Sequence, residues 1–508
     1  MNRGFFHAVT LILLVLILQA CSAGGGETGT GQTDTDTSVS VGVITGFGSV
    51  FVNGVKFKTS DNTVVSVDGD SAALESHLAV GMLVTVSGNV NSDGVNGVAS
   101  SILFEDNVEG VVISSALFDS TGNTINVLGQ TVFVDNDTIF DSKDSQVTLI
   151  EQVTAGHIIE VSGYSNGDGN IFATRIELKK AAFQAGDTIE IKGIAQNVTS
   201  TSFMIGSMTV TYLSENLKGF DSTFGSGDFV SVKSTKTNIG TTLEASEVEF
   251  KDGNHVSIES QSGKEIEFEG IVSNINTDTN TFLLNSETIL VNSMTNFDND
   301  NFNFSNLVNK SKVKVHGRLN EAGQIVAESL RVKEVSVNYI EGNITSINFD
   351  EQSIVLQGVT IYINNSTRLK DDLEESDSTP LSYDKQYFKF SDLKANDNVQ
   401  VTFFTDTNNG SFIASKLERE NDEDEVGTPG EPGSGKEREI EGVITSIDLN
   451  NKILVVSGIT IKLDNLILDD YAALLEMDTV EVHGLETPNG WFATEIDVKG
   501  EPDDSLFD

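Results

Sequence analysis

The chain repeats one short β-like pattern six times, and this repetition restricts the fold more than any other feature. Each copy opens with a glycine and an aliphatic run, as at residues 110–113 and 442–445. A strand with alternating apolar residues follows later in each copy, and in four copies it ends in glycine, as at residues 480–484. The copy then ends with an alanine and an aliphatic residue three positions later, such as Ala493 and Ile496. Self-similarity on this scale indicates that one small structural unit has been copied along the chain.

The last copy shows the order of elements most clearly. Its strand-like alternation covers residues 440–447, 452–456, 459–463, 480–484 and 491–498. Apolar residues at helical spacing cover 466–477 and predict one short helix or a turn-rich connection there. Three strands, a short helical link and two further strands match the five-stranded barrel of the OB type. We therefore predict an all-β fold, a tandem array of about six small five-stranded OB-like barrels with at most one short helix each.

Two copies are degenerate, because Ser234 and Phe403 replace the strand-ending glycine, and the fifth copy carries an acidic insertion around residues 371–377. We expect the first five copies to stack as a rod and the sixth to move independently behind an acidic, Pro/Gly-rich linker. The predicted segments are a signal peptide (1–20), a flexible tether (21–37), repeats at 38–106, 107–181, 182–260, 261–335 and 336–420, a linker (421–436), a sixth repeat (437–499) and a tail (500–508).

The first residues of the chain predict its compartment. Arg3 places a positive charge near the amino terminus. The apolar run from Ala8 to Leu18 is too short to cross a hydrocarbon core of ~30 Å as a helix. This stretch is therefore interpreted as a signal peptide. Cys21 is the single cysteine among 508 residues, which excludes an internal disulfide and a multi-thiolate metal site.

The segment from Leu18 to Cys21 resembles the lipobox of bacterial lipoproteins. The resemblance implies cleavage before Cys21, diacylation of its thiol and acylation of the new amino terminus, and two or three acyl chains anchor a protein stably. Because Ser22 rather than aspartate follows, the same resemblance favours the outer over the inner membrane of a Gram-negative host. The alternative is an ordinary signal peptide followed by an incidental cysteine.

The charge of the chain restricts its partners. The formal net charge is −45, with 31 Lys and Arg against 76 Asp and Glu; since residues 1–20 hold one base and no acid, the mature chain carries −46. Such a surface repels phosphate groups and anionic lipid. OB-type barrels often bind nucleic acid, but single-strand binding needs a basic groove with stacking aromatic rings. We therefore exclude nucleic acid as a partner.

No pattern typical of a nucleophile elbow, a zinc protease or a phosphate-binding loop is present in the sequence, and we predict that the protein is not an enzyme. His316 and His483 occupy the same position, between valine and glycine in the late strand of their copies. Other copies place serine, lysine or threonine there, which indicates a solvated strand face. The sequence therefore predicts a structural role for both histidines.

Acidic residues at alternate positions are weak candidates for calcium ligands, although none shows the twelve-residue loop with its closing glutamate. A turn or a solvated acid is the preferred interpretation. Trp491 follows the Asn489–Gly490 turn and is interpreted as a cap of its barrel, with contact to a ligand such as a saccharide as the alternative. The calcium candidates are Asp68, Asp70, Asp168, Asp298 and Asp300, and no other metal or cofactor is predicted.

The repeat as a whole resembles the bacterial lipoproteins grouped as domain of unknown function 5666. The likeness rests on the G-x-I-x-x-I opening, the central hairpin that is plainest at residues 50–55, the V-x-V-x-G strand and the A-x-x-I close. It covers nearly everything after residue 38 and implies no activity. We expect a lipid-anchored, non-catalytic array that binds an envelope protein or surface polymer, or acts as a surface scaffold. A calcium- or glycan-binding envelope module is the alternative, and an enzyme with a site assembled between barrels is a third possibility.

Overall fold

The computed structural model describes residues 38–117, 123–144, 146–184, 186–220, 223–236, 240–251, 263–297, 303–333, 338–373, 388–406, 409–420, 425–426, 435–467, 471–476, 478–487 and 489–498. Strands dominate these residues, and the helical segments among them are single 3-10 turns, so the predicted all-β class is confirmed. The 3-10 turns are Glu75–His77, Ile150–Gln152, Ser214–Asn216, Phe304–Asn306 and Phe390–Asp392.

The strands fall into six groups that we call barrels 1 to 6. Barrel 1 has β1 (Ser38–Gly46), β2 (Val50–Val52), β3 (Val55–Lys58), β4 (Val64–Val67), β5 (Asp70–Ala73), β6 (Leu83–Val90) and β7 (Asn96–Phe104). Barrel 2 has β8 (Val108–Leu117), β9 (Thr124–Val127), β10 (Gln130–Phe133), β11 (Ile139–Ser142), β12 (Ile158–Ser165) and β13 (Asn170–Lys180). Barrel 3 has β14 (Ile189–Ile194), β15 (Ser202–Ile205), β16 (Met208–Thr211), β17 (Leu217–Lys218), β18 (Phe229–Ser234), β19 (Thr242–Glu244) and β20 (Glu247–Phe250).

The second half of the chain follows the same order. Barrel 4 has β21 (Glu265–Asn276), β22 (Thr281–Leu284), β23 (Glu287–Leu290), β24 (Asn296–Phe297), β25 (Lys312–Leu319) and β26 (Ile325–Val332). Barrel 5 has β27 (Asn338–Asn348), β28 (Ser353–Leu356), β29 (Val359–Tyr362), β30 (Arg368–Asp371), β31 (Asn398–Thr405) and β32 (Phe412–Glu420). After the short strand β33 (Glu425–Val426), barrel 6 has β34 (Gly435–Asp448), β35 (Ile453–Val456), β36 (Ile459–Lys462), β37 (Thr479–Thr487) and β38 (Gly490–Val498).

Strand pairing follows the OB order within the barrels. In barrel 1, β1 pairs with β2, β2 with β3, β3 in parallel with β7, β7 with β6, and β6 back with β1. The equivalent pairings recur in barrels 2, 4, 5 and 6. In barrel 3 the last strand is divided into β19 and β20, and one bridge between Gln196 and Met204 joins the first strand to the second. The predicted OB-like barrels are thus confirmed.

In its described residues, the link between the third and fourth strands of the last copy is the turn-rich connection, one of the two forms predicted there. In barrels 1 to 5 this link contains a short strand that runs parallel to the last strand, as β4 does beside β7. In barrel 6, Tyr471 lies in a turn within this link, and no α-helix forms among its described residues. Tyr471 and Leu474 are buried in the core of barrel 6.

The opening glycine of each repeat has a steric reason. Asn53, at the turn between β2 and β3, adopts φ 56° and lays its side chain across Gly42 in the first strand. Its Nδ2 donates to the carbonyl of Val41 at 2.9 Å and to Ser40 Oγ at 3.0 Å. A Cβ added at Gly42 would overlap with the Asn53 side chain. Only glycine leaves the space that this turn residue occupies.

Several barrels are joined by strand pairing or by a shared hydrophobic core. The first strand of barrel 1 pairs in parallel with that of barrel 4 through Ser38–Val41 and Glu265–Phe268. Barrels 2 and 3 share one hydrophobic core, and so do barrels 5 and 6. The linker predicted to free barrel 6 contains strand β33, which pairs with the start of β34, and β34 also pairs with β27 of barrel 5. The pairs β1–β21, β8–β14 and β27–β34 each join the first strands of two barrels, so main-chain groups at those strands are satisfied between barrels.

Candidate functional site

An open cavity of about 650 Å³ lies against barrel 3. One wall comes from the loop between β14 and β15, and the other from the segment that follows β16. The side chains that line it are aromatic, aliphatic or hydroxylated. They are Val198, Thr199, Ser200, Tyr212, Leu217, Phe220, Thr223 and Phe224, together with Gly219.

A chain of aromatic rings runs from the core of barrel 3 to this cavity. Phe203 is buried in the core, and its ring centroid lies 5.6 Å from that of Tyr212 and 5.0 Å from that of Phe224. Phe220 lies 5.0 Å from Phe224 and 5.5 Å from Phe250, whose side chain is 37% exposed. Edge-to-face and tilted ring pairs at these distances are favourable. The rings therefore hold one another in place and present apolar faces at the cavity.

Hydroxyl groups hold the cavity wall together without introducing charge. The Tyr212 hydroxyl donates to the carbonyl of Thr199 at 2.7 Å, and Thr199 Oγ1 donates to the carbonyl of Ser202 at 3.0 Å. Burial raises the pKa of Tyr212, which therefore stays neutral. Since no described lining residue is ionisable at neutral pH, the cavity suits a neutral ligand with both apolar faces and hydroxyl groups.

Apart from this cavity, a cluster of charged side chains lies where barrels 1, 2 and 3 meet. Lys192 Nζ is 2.5 Å from Asp106 Oδ1 and 3.1 Å from the Asp106 carbonyl. The amide of Asp106 donates to Asp68 Oδ1 at 2.9 Å, so the calcium candidate Asp68 is part of this junction. Burial raises the pKa of Asp68 to about 6, although Lys192 opposes the shift.

The junction also holds three carboxyl groups whose oxygens lie within 4.8 Å of one another, those of Asp106, Glu109 and Glu160. Lys179 Nζ lies 2.9 Å from Glu160, and Lys192 neutralises Asp106. Burial lowers the pKa of Lys192, but Asp106 and Glu190 outweigh it and the pKa is raised overall. Because two ammonium groups already supply the positive charge, we interpret the cluster as a structural junction between barrels rather than a cation site.

The other candidates from the sequence lie apart from one another. Asp70 Oδ1 accepts from the amide of Ala72, and Asp168 Oδ1 accepts from the amide of Asn170, so each closes a local turn. Trp491 is 4% exposed and packs in the core of barrel 6. The lipidation candidate Cys21 and the calcium candidates Asp298 and Asp300 lie outside the described residues.

Four histidines lie in the described part of the chain. His77 Nδ1 accepts from the amide of Leu74, and His157 Nδ1 accepts from the amide of Thr154. His316 and His483 instead face glutamates, at 2.7 Å from Glu265 and 3.0 Å from Glu481.

Sequence reasoning did not identify the aromatic cavity. Phe220 and Phe224 lie outside the strands, in a segment without period-two alternation. This lack of alternation was the sequence signal that could have separated Phe220 and Phe224 from the core positions. Alternation alone cannot show that two rings leave a concave surface between them.

Comparisons with known proteins agree with the repeat architecture. The family model for a domain of unknown function (DUF5666) matches residues 41–102, 109–177, 269–331, 341–418 and 441–497, which fall in barrels 1, 2, 4, 5 and 6. No curated protein matches the chain. Within the described ranges, no helix reaches the length and hydropathy that a membrane-spanning helix needs.

Four chains of known structure match. One of them is the Drosophila Unr CSD456 chain, which is 12% identical in sequence. The match covers 46% of the present chain and 99% of the Unr chain, with a TM-score of 0.13. A likeness at this TM-score carries no argument about the function of the present chain.

Proposed function

The chain belongs to the DUF5666 family, and from that premise we propose that it is a lipid-anchored, non-catalytic protein of the cell envelope. In this proposal the six barrels form one folded platform that binds an envelope protein or a surface polymer. The acylated Cys21 holds the platform at the membrane, and the outer membrane is the expected location in a Gram-negative host. The mature charge of −46 favours partners that are neutral or basic.

The observation that carries this proposal is the position of barrel 2, which contacts every other barrel through side-chain hydrogen bonds. Thr174 donates to the Gly81 carbonyl of barrel 1 at 2.7 Å, and Gln130 donates to the Ile205 carbonyl of barrel 3 at 3.1 Å. The remaining links are Tyr164 to Glu269 of barrel 4, Lys370 of barrel 5 to the Phe140 carbonyl at 2.6 Å, and Asn136 to Glu441 of barrel 6 at 3.0 Å. Such a network favours a scaffold with fixed relative positions over a flexible string of modules.

The histidines support a non-catalytic role. In the described residues, the hydrogen bonds of His77, His157, His316 and His483 go to main-chain amides or to glutamates. None goes to a serine, threonine or cysteine side chain that it could activate as a nucleophile.

Replacement of the acylated residue tests the anchoring. We expect Cys21→Ser to move the protein from the membrane fraction to the soluble fraction in the native host, because the other interactions with a bilayer are weakened by the acidic surface. Ser22→Ala is the matched control and should leave the protein with the membrane. Retention of Cys21→Ser in the membranes after a high-salt wash would contradict lipid anchoring. Crosslinking of the wild-type protein in the host, followed by identification of bound proteins, tests the platform role.

The cavity on barrel 3 favours a second candidate function, binding of a neutral glycan. Sugar rings present apolar C–H faces and peripheral hydroxyls, which match the rings of Phe220 and Phe224 and the hydroxyls of Thr199 and Ser200. A thermal-shift screen with neutral oligosaccharides tests this function, with Phe220→Ala as the variant that should abolish any shift. The same screen with calcium chloride tests the calcium alternative. No shift with millimolar oligosaccharide would remove the glycan candidate.

A further inference from the structure

The outer face of barrel 6 carries one histidine surrounded by carboxylates. Two cross-strand ladders run over β34, β37 and β38, with side chains that point away from the core and are half-buried or exposed. In the first ladder His483 lies between two glutamates, and in the second Glu481 lies between two acids. The ladders are Glu439–His483–Glu495 and Glu441–Glu481–Asp497.

The geometry around His483 brings three metal-ligating groups together. His483 Nε2 lies 3.0 Å from Glu481 Oε1, and one ligand atom each from Glu439, Glu481 and His483 lie within 4.8 Å of one another. Ligand atoms around a tetrahedral zinc ion are about 3.3 Å apart, as bond lengths of ~2.0–2.2 Å require. Small rotations of these side chains would therefore bring all three onto one ion. The His483 side chain is 41% exposed, so an ion can reach it from solvent.

Barrel 4 provides an internal comparison, because its His316 occupies the equivalent position. There the residue two positions before the histidine is Lys314, where barrel 6 has Glu481. Lys314 pairs across the strands with Arg331, where barrel 6 has Asp497. At the six equivalent positions barrel 4 has two acids and two bases, whereas barrel 6 has five acids and no base. The six positions in barrel 4 are Glu267, Glu269, Lys314, His316, Ser329 and Arg331.

Like charges directly opposite one another on a sheet are destabilising. In barrel 4 the protein supplies its own cations, and Lys314 Nζ lies 2.5 Å from Glu267. In barrel 6 the same face holds Glu441, Glu481 and Asp497 opposite one another, and a bound cation would reduce their mutual repulsion.

We propose that His483, Glu439 and Glu481 form a surface site for a borderline divalent cation such as Zn²⁺. An imidazole nitrogen in the ligand set favours zinc, nickel or cobalt over the oxygen-preferring calcium and magnesium. One histidine and two carboxylates leave a coordination position open to water or to a ligand from a partner. The site goes beyond the proposed platform function and does not depend on it, and it would give His483 a role besides the structural one that the sequence predicts.

Isothermal titration of the full chain with zinc chloride tests the site, in a Cys21→Ser background so that no thiol competes for the metal. We expect one zinc ion to bind per chain at barrel 6, with an affinity at least about tenfold weaker in His483→Gln. Glu481→Gln should also weaken zinc binding. Titration with cobalt(II) chloride adds a visible absorption spectrum that depends on the ligands of the ion. His483→Gln should change that spectrum.

His316→Gln in barrel 4 and His157→Gln in barrel 2 are the matched controls, and both should bind zinc as the parent does. Thermal unfolding in EDTA should be the same for the histidine variants and the parent, and Glu481→Gln, which removes a like charge, should be at least as stable; this separates loss of a ligand from loss of the fold. Absence of saturable zinc binding below about 1 mM would overturn the proposal. So would unchanged zinc affinity in His483→Gln, or calcium binding as tight as zinc binding, since either result would indicate general attraction to acidic groups.

Discussion

The hydroxyl of Tyr164, in the fourth strand of barrel 2, donates a hydrogen bond to the carboxylate of Glu269, in the first strand of barrel 4. The Tyr164 ring packs in the hydrophobic core of barrel 4, and Lys333 Nζ lies 2.8 Å from Glu269. Burial alone would raise the pKa of Glu269, but Lys333 and Lys312 lower it to about 2. A buried charge with two partners therefore joins two barrels that are not neighbours in sequence.

Removing the phenolic hydroxyl should loosen this junction. Tyr164→Phe keeps the ring in place but removes a hydrogen bond to a charged acceptor, which costs about 1.5–3 kcal/mol. We expect faster amide hydrogen exchange in strands β12 and β21. Tyr212→Phe removes a hydrogen bond within barrel 3 and is the matched control, because it should leave exchange in β12 and β21 unchanged. Equal exchange in Tyr164→Phe and the parent would show that the hydrogen bond does not hold the barrels together.

Acid should destabilise the protein through Glu418, a buried carboxyl between Lys416 at 2.9 Å and Lys370 at 3.3 Å. Burial raises its pKa, but the two lysines outweigh burial and lower it from 4.5 to about 2. Because the folded-state pKa lies below the unfolded value, this contribution to stability is complete above about pH 4.5 and is lost as the pH falls toward 2.

Glu418→Gln tests this linkage. The variant should be less stable than the parent by about 3 kcal/mol at pH 6, and the difference should shrink as the pH falls toward 2. Urea unfolding monitored at several pH values measures both quantities. A difference that stays constant from pH 6 to pH 2 would contradict the assigned shift.

The opposite pH dependence is expected at Asp68. Since burial raises its folded-state pKa from 3.8 to about 6, ionisation of Asp68 destabilises the fold at pH 7.5, and this penalty disappears as the pH falls below about 4. Asp68→Asn keeps the acceptor for the Asp106 amide and removes the charge. The side chain is 32% exposed, so we expect a gain of only about 1 kcal/mol at pH 7.5 and none near pH 4.

Asp93→Asn is the control for that experiment. Hydrogen bonds from the Asn96 side chain and from main-chain amides lower the pKa of Asp93, so removal of its charge should not stabilise the fold at pH 7.5. Stabilisation by both substitutions would point to net charge as the cause and would remove the specific role of Asp68.

A steric prediction concerns Gly42. Gly42→Ala places a methyl group in the space of the Asn53 side chain and should destabilise barrel 1 by about 1–3 kcal/mol. Gly240→Ala is the control, because a Cβ at that position meets no atom within 4 Å. The double variant Gly42→Ala, Asn53→Gly should recover stability, since glycine at position 53 removes the clash and accepts φ 56°. Failure of that rescue would mean that Gly42 is needed for another reason.

Little of the candidate sites could be read from the sequence. The repeated position of His483 was visible, and Glu481 stands two residues before it on the same strand, but Glu439 belongs to β34, and only the register of β34 against β37 places it beside the imidazole. Asp68 was selected as a calcium candidate from its alternation with Asp70. Its actual partner is the amide of Asp106, which the pairing of β4 with β7 brings to it.

The sequence by itself determined the all-β class and the repeated five-strand unit. Period-two alternation and turn glycines act over a few residues, so each barrel could be recognised within its own copy. Only the tertiary structure decided how the barrels are arranged. Tyr164 and Glu269 are 105 residues apart, and no local pattern encodes which barrel edges pair or which buried charges meet. Those contacts depend on the shapes and charges of complete barrels, which exist only after each unit has folded.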